Sequence, residues 1–169
     1  YCGEISLPLR MGIKNVLNNK DYSKSVVNEK NQTIAFIKQS QTNEQFEIFD
    51  LNNNIVLTGQ VKGKTGATEI ELRNCQGQDI GFIKQDVEKS FLTAAASYIA
   101  EDSKGNFVFQ SLKKEEASKV ISVTDKNQTD LGSLNVERSR SKYEANLKDG
   151  NTEKALLIMA TLKLYSDTK

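Results

Sequence analysis

Three cations alternate along residues 136–144, VERSRSKYE. Arg138, Arg140 and Lys142 are two residues apart, so an extended strand would place their side chains on one face. Arginine offers forked hydrogen-bond donors, and lysine offers a compact charge, to phosphate oxygens. We therefore take these three residues as the candidate lipid-binding or anion-binding site.

The apolar residues before these cations indicate how the site would be presented. Leu134 and Val136 share the parity of the cations, and they are expected to face a protein interior. The chain is therefore expected to turn near Ser139 and to display the cations around a loop. Such a loop could contact an anionic lipid surface, at about 1 kcal/mol per charge. A solvated turn that joins two strands is the simpler interpretation.

The composition excludes histidine-dependent catalysis and leaves a buried Glu or Lys site as the remaining enzymatic alternative. The chain has no histidine, which removes Ser/His/Asp and Cys/His catalysis, histidine metal ligation and histidine pH switching. Cys2 and Cys75 are too few for a disulfide scaffold or a thiolate zinc site. One bridge between them is an alternative, but two free thiols in a reducing compartment are favoured. We expect no enzymatic activity, no catalytic residue, no cofactor and no metal.

Other charged groups have simpler explanations. Lys113 and Lys114 precede two glutamates that cancel their field, which indicates a surface turn. Lys62 and Lys64 bracket a glycine, but they lack the Gly-Lys-Ser/Thr pattern of a phosphate loop. The acidic residues lie at turns and lack the spacing of a calcium loop. The formal net charge of +1 gives no global field of the kind that marks a nucleic-acid binder.

A hairpin repeat of about two dozen residues organises the chain. Each copy has an alternating strand, Asp or Asn, two residues, then Gly, Asn or Gln, and a new apolar strand. The first turn residue can bond its own backbone two residues on, and the later one tolerates a left-handed conformation. Such turns close antiparallel hairpins that carry a bulge. The turns begin at Asn28, Asp50, Asn74, Asp102 and Asp125.

Two returning strands are nearly identical, which supports a true repeat. They are residues 34–39, IAFIKQ, and residues 80–85, IGFIKQ. In both strands, the first isoleucine, the phenylalanine and the lysine share one face. The small residue and the second isoleucine share the other face.

The five hairpins predict about ten strands, and residues 7–13 and 142–147 add two candidates. Pro8 allows a first or edge strand but not a central one. An open sheet of about twelve strands would expose its edges, whereas a closed barrel removes them. A barrel of that size cannot fill its own interior with the side chains of its strands. The sequence therefore predicts a mainly β fold, a closed antiparallel barrel that needs a plug.

Residues 152–166 are the predicted plug. Residues 155–160 are all apolar, and Leu162, Leu164 and Tyr165 continue the pattern, so a helix here has no polar face. Asn151 or Thr152 can cap its first turn. The run is about half the length of roughly 20 residues that a membrane span needs. We predict a central hydrophobic helix near the carboxyl terminus of a single domain, residues 1–169, with no transmembrane segment.

Residues 87–99, VEKSFLTAAASYI, are ambiguous. Three consecutive alanines favour a helix, whereas the aromatic and β-branched residues favour a strand. We predict an extended segment.

The hairpin repeat and the terminal helix resemble those of the tubby-like barrel superfamily, over residues 26–167. This grouping includes the tubby carboxyl-terminal domain, the phospholipid scramblases and the plant LURP-one-related proteins. The best matches are residues 46–50, FEIFD, residues 98–106, YIAEDSKGN, and residues 155–160, ALLIMA, with Asp167 after the helix. The resemblance implies a closed barrel of twelve strands around a central helix. No tubby carboxyl-terminal signature, phosphoinositide-binding cation set, scramblase cysteine cluster or acidic calcium segment has a counterpart here, so no functional residue is transferred.

The leading hypothesis is a non-enzymatic binding module. Its barrel would be a rigid scaffold that engages an anionic membrane lipid, phosphoinositide-like, or a protein partner, and the lipid part rests on analogy of fold. The alternative is a structural subunit that packs into a larger protein assembly and binds no small molecule. The expected location is cytoplasmic, either peripheral to a membrane or within a large assembly.

Overall fold

The computed structural model describes residues 2–42, 44–63, 67–92, 95–115 and 117–167. In these residues, twelve strands pair antiparallel in chain order, and β1 also pairs with β12, which closes the barrel. The first six strands are β1 Arg10–Asn15, β2 Lys24–Asn28, β3 Thr33–Gln39, β4 Gln45–Phe49, β5 Ile55–Lys62 and β6 Glu69–Asn74. The others are β7 Asp79–Gln85, β8 Tyr98–Asp102, β9 Phe107–Leu112, β10 Val120–Thr124, β11 Asp130–Glu137 and β12 Lys142–Leu147. The predicted fold class is confirmed.

All five predicted turns close hairpins at the same end of the barrel, here named the turn end. At each turn, the Asp or Asn Oδ1 accepts the backbone N–H groups two and four residues on, at 2.8–3.0 Å. The residue three positions on has a positive φ, between 65° and 84°. Each hairpin also has a register shift beside the turn, as the bulge predicts. Local turn chemistry therefore fixes five of the eleven connections between successive strands.

The repeated strands alternate between the barrel interior and its outer wall. In β3, Ala35 and Ile37 are buried, whereas Lys38 is exposed. In β7, Gly81 takes the place of Ala35 because the central helix passes close by. A Cβ atom at Gly81 would lie 2.7 Å from Cδ2 of Leu157.

The central helix, α2 Thr152–Asp167, fills the barrel. The Asn151 side chain caps it by accepting the Lys154 N–H at 3.0 Å. The helix begins at the turn end and ends at the opposite end, here named the loop end. Its buried residues are Ala155, Leu157, Ile158, Met159, Ala160, Thr161, Leu162, Lys163, Leu164 and Tyr165. Burial on all sides follows from the lack of a polar face in the sequence.

Polar contacts fix the last turns of α2. Lys163 is 1% exposed, and its Nζ lies 2.6 Å from an oxygen of Asp167 and 4.3 Å from the centre of the Phe46 ring. Burial lowers the pKa of Lys163, and Asp167 opposes that shift. The Nζ of Lys24 contacts the other Asp167 oxygen at 2.5 Å. One carboxylate therefore serves two lysines.

Tyr165 is the second polar anchor of the helix. Its hydroxyl donates to the Ala96 carbonyl at 2.5 Å and shares a 2.9 Å hydrogen bond with the Ser111 hydroxyl. Burial raises the pKa of Tyr165. These bonds orient α2 within a largely apolar core.

The prediction of an extended segment over residues 87–99 is wrong for its first half. Val87–Leu92 form a short helix, α1, and β8 begins at Tyr98. Asp86 starts α1, because its side chain accepts the Lys89 N–H at 3.1 Å and its carbonyl accepts the Ser90 N–H at 2.9 Å. Phe91 and Leu92 are exposed, so no packing against the core stabilises the strand conformation that these residue types favour. Residues 93 and 94 lie outside the described residues.

The preference for free thiols is also wrong, because Cys2 and Cys75 form a disulfide with their Cα atoms 5.5 Å apart. Residues 2–9 form a strap across the turn end, and the disulfide joins it to the β6–β7 turn. The Gly3 N–H donates to the Ile55 carbonyl at 2.8 Å, and Ile5 and Leu7 pack against the core. The strand predicted over residues 7–13 begins only at Arg10, after Pro8 and the strap.

Candidate anion-binding groove

The predicted cationic segment lies between β11 and β12 at the loop end. Arg138–Arg140 form a 3₁₀ turn, and Ser141 follows in the left-handed conformation, at φ 50° and ψ 40°. This places the turn near Ser139, as the sequence predicts. The turn directs the three cations to different surroundings.

Arg138 lies apart from the other two cations. Its guanidinium Nη2 donates to the Tyr165 carbonyl of α2 at 3.5 Å. That carbonyl lies in the last turn of the helix, where the helix dipole is negative. Arg138 therefore stabilises the end of the central helix.

Glu137 gives this segment a counter-ion that the sequence analysis did not identify. Its carboxylate is 2.8 Å from the Lys119 Nζ and 3.4 Å from the Arg140 Nε, and its side chain is 8% exposed. The hydrogen bond from Lys119 is the main reason that the pKa of Glu137 lies below its usual range. The positive field of the segment is therefore partly neutralised.

Arg140 and Lys142 line a groove of about 680 Å³ on the outer wall of the barrel. The groove crosses β12, β1 and β2, and β1 also contributes Arg10 and Lys14 to its lining. We name this feature the β1 groove. Its polar lining includes Asn28, Asn31, Ser141, Asn146 and the carboxylates Glu29 and Glu144.

Gly12 lines the middle of the β1 groove, between the outward side chains of Arg10 and Lys14. It pairs with Glu144 of β12 and Val27 of β2. A Cβ atom at Gly12 would lie 3.2 Å from the Tyr143 carbonyl oxygen and 3.3 Å from a Val27 methyl. The missing side chain keeps the groove open between its cations.

The cations of the β1 groove are accessible to an incoming anion. Arg10 and Lys14 are exposed, and neither has an ion pair within the described residues. Lys142 lies 3.8 Å from Glu144, and both side chains are about half exposed, at 44% and 48%. An exposed pair of this kind contributes about 0–1 kcal/mol, so an anion can compete for the lysine. The arrangement can hold an anionic group by charge and hydrogen bonds.

Sequence reasoning missed Arg10 and Lys14, although their signal is present. Arg10, Gly12 and Lys14 alternate in the first strand, so the two cations share one face and are four residues apart. Their relation to Lys142 requires the pairing of β1 with β12, and barrel closure supplies that pairing. The structure thus brings together Arg140, Lys142, Arg10 and Lys14, and it places Arg138 elsewhere.

The other charged groups of the sequence have mainly local contacts. Lys62 pairs with Glu71 at 2.8 Å, and Lys64 lies outside the described residues. The turn aspartates accept backbone N–H groups, and these bonds lower the pKa values of Asp50, Asp102 and Asp125. The described part of the chain contains no group of three or more acidic or cysteine side chains arranged to hold a metal ion. No helix in that part is both long and apolar enough to cross a bilayer.

Comparison with known proteins supports the fold and gives no function. The sequence matches no protein-family model and no curated protein. The structure is similar to the X-ray structure of a protein from Arabidopsis thaliana, with a TM-score of 0.60 and 11% sequence identity. The match covers 97% of this chain and 92% of that one. The whole chain therefore has the barrel architecture of a known protein, at an identity that establishes the fold alone.

Proposed function

We propose that this chain is a non-enzymatic binding module and that the β1 groove engages the headgroup of an anionic, phosphoinositide-like membrane lipid. The observation that carries the proposal is the convergence of Arg10, Lys14, Arg140 and Lys142 on one polar groove. Phosphate oxygens accept the forked bonds of arginine and the point charge of lysine.

The barrel suits this function because its wall is rigid. The cations of the groove come from β1, from β12 and from the turn that precedes β12, and the paired strands hold their spacing. A pre-organised set of donors loses little conformational freedom on binding. The carboxylates of Glu29 and Glu144 reduce the net positive charge of the groove and oppose any anion, so binding depends on the four cations outweighing them.

Vesicle co-sedimentation tests the proposal directly. We expect the purified chain to bind phosphoinositide vesicles at about 0.1 M salt, with binding that weakens as salt rises. Lys14→Ala combined with Lys142→Ala should weaken binding about thirtyfold, because each of the two charges near an anionic surface contributes about 1 kcal/mol. Lys104→Ala in the β8–β9 turn removes an exposed cation far from the groove, and it should bind like the parent chain. Equal binding by the double lysine variant and by Lys104→Ala would contradict the proposal.

Membership of the tubby-like barrel superfamily is part of the proposal. The closed barrel, the hairpin repeat, the central helix and the Arabidopsis structure all support it. A peripheral position at a membrane follows from lipid binding. The expectation of a cytoplasmic location depended in part on free thiols, and the Cys2–Cys75 disulfide weakens it, since disulfides persist mainly in oxidising compartments.

A structural subunit of a larger assembly is the second candidate function. The net charge of +1 and the exposed side chains of Phe91 and Leu92 in α1 favour it. Under this alternative the chain would bind no vesicle of any composition. Cross-linking from residues of α1 to a partner protein would then support it.

A further inference from the structure

The loop end of the barrel carries the most exposed large apolar side chains. Leu17, in the β1–β2 connection, is 82% exposed. Phe91 and Leu92, at the end of α1, are 86% and 71% exposed. Val87 is 55% exposed and precedes Phe91 by one helical turn, so both lie on the same side of α1. Exposed apolar side chains therefore lie at two places on the loop end, Leu17 and the Phe91–Leu92 pair, which we name the apolar tips.

The two tips lie on opposite sides of the barrel rim. The closed sheet has twelve strands, and six strand positions separate the β1–β2 connection from the β7–β8 connection. Both connections lie at the loop end, because β1 and β7 each run from the turn end towards it. Leu17 and Phe91 thus lie at the same end of the barrel, and they cannot form one continuous patch.

Cations occupy the rim between the tips. Taken together, the described residues of four successive connections, from β7–β8 round to β1–β2, carry seven cations and four carboxylates, although the β7–β8 connection alone has two carboxylates and one cation. The cations are Lys20, Lys89, Lys113, Lys114, Lys119, Arg138 and Arg140. Lys119 and Arg140 pair with Glu137, and glutamates follow Lys113 and Lys114, so the net positive charge of this sector is small. The loop-end part of the β1 groove opens onto the same sector, because Arg140 lines it, whereas Arg10 lies at the turn-end part. Apolar tips with cations between them match the interface of an anionic bilayer, where acyl chains lie beneath phosphates.

We propose that the barrel docks end-on to an anionic lipid bilayer, with its loop end towards the lipid and with Leu17, Phe91 and Leu92 inserted between headgroups. This inference rests on the proposed lipid function and adds the orientation of the bound barrel. A fluid bilayer accommodates two separate apolar tips, because each tip can insert between headgroups on its own.

Tryptophan fluorescence can measure insertion at each tip. The chain contains no tryptophan, so Leu17→Trp and Phe91→Trp each give a single emitter. With phosphoinositide vesicles that contain brominated acyl chains, we expect quenching at both positions. Leu51→Trp is the matched control, because Leu51 is 61% exposed in the β4–β5 turn at the other end of the barrel. Its emission should not change.

Serine variants test whether the tips contribute to affinity. Leu17→Ser and Phe91→Ser should each weaken vesicle binding about tenfold, because each removes a side chain that leaves water on insertion. Leu51→Ser should bind like the parent chain. Both tip positions are exposed, so the circular dichroism of the serine variants should match that of the parent.

The outcomes separate this inference from the groove function. Vesicle binding without quenching at Leu17→Trp and Phe91→Trp would overturn the end-on orientation. In that case, a loss of binding in the variant that combines Lys14→Ala with Lys142→Ala would still support lipid binding by the β1 groove. Quenching at only one tip would also overturn it, because an end-on barrel contacts both. No binding to any vesicle would overturn both proposals and favour a protein partner.

Discussion

At the scale of single residues, the least ordinary group is the buried amine of Lys163. Asp167 is its carboxylate partner, and the same carboxylate holds Lys24. Removing one partner of a buried ion pair leaves an uncompensated charge, which is far more costly than removing an exposed pair. Two lysines at the end of the central helix therefore depend on one carboxylate.

Asp167→Asn should lower the free energy of unfolding by roughly 3 kcal/mol, because Lys163 would keep its burial and lose its counter-ion. Urea denaturation measures the loss. Asp21→Asn, which changes an exposed aspartate in the β1–β2 connection, is the control and should have little effect. Equal stability of the two variants would show that Asp167 does not compensate Lys163.

The same residue gives a pH dependence with a definite sign. Burial lowers the pKa of Lys163 in the folded state below its value of 10.5 in a model compound. Between these two pKa values, the unfolded chain binds more protons than the folded chain, so stability rises with pH. Asp167 raises the pKa of Lys163. Removing the Asp167 carboxylate therefore widens the pH range between the folded-state and unfolded-state pKa values of Lys163. The slope should therefore extend to lower pH in Asp167→Asn, as urea titrations at several pH values would show.

At the scale of elements, the strap is the part that the hairpin repeat does not explain. It crosses the turn end and is fixed by the Cys2–Cys75 bond and by the Glu4 N–H, which donates to Asp50 at 3.3 Å. The closed sheet includes no residue of the strap. The strap should therefore detach without opening the barrel.

Reduction of the disulfide should lower the free energy of unfolding by about 4 kcal/mol, because the bond closes a chain segment with a sequence separation of 73. Amide exchange should accelerate at Gly3 and Glu4, while the amides of β6 and β7 stay protected. The variant Cys2→Ser/Cys75→Ser should behave like the reduced chain and should not respond to reductant. Unchanged protection at Gly3 after reduction would mean that the strap is held by its other contacts.

At the scale of the whole molecule, the sequence predicts features that depend on short-range signals. An Asp or Asn followed by a left-handed residue identifies each hairpin turn, and period-two alternation separates the two faces of each strand. Closure follows from the cost of open edges, and the central helix follows from the space that closure leaves. Each of these steps needs only local residues and a count of strands.

The sequence fails where distant segments meet. Arg10 and Lys14 join Lys142 only because β1 pairs with β12, and Cys2 reaches Cys75 only because the strap crosses the turn end. Glu137 becomes a counter-ion only because Lys119 comes from the preceding connection. Val87–Leu92 form a helix because Asp86 caps them and the core does not bury them. These contacts depend on the strand register and on the course of the chain around the barrel, which no short sequence pattern specifies.

The architecture makes one prediction that involves the entire molecule. Leu157 and Ile158 are 1% and 2% exposed in the middle of α2 and belong to the hydrophobic core cluster. Leu157→Asp or Ile158→Asp would bury a carboxylate with no partner there, at a cost of several kcal/mol. That cost is comparable to the whole stability of a domain, roughly 5–15 kcal/mol.

Either variant should therefore unfold the whole domain, with loss of the cooperative thermal transition in circular dichroism. Leu51→Asp places the same charge at a position that is 61% exposed in a turn, and it should melt like the parent chain. The contrast tests the helix as the plug, since the substitution is the same and only its position relative to the barrel interior differs. A folded Leu157→Asp variant with an unchanged melting temperature would mean that the barrel does not need its central helix.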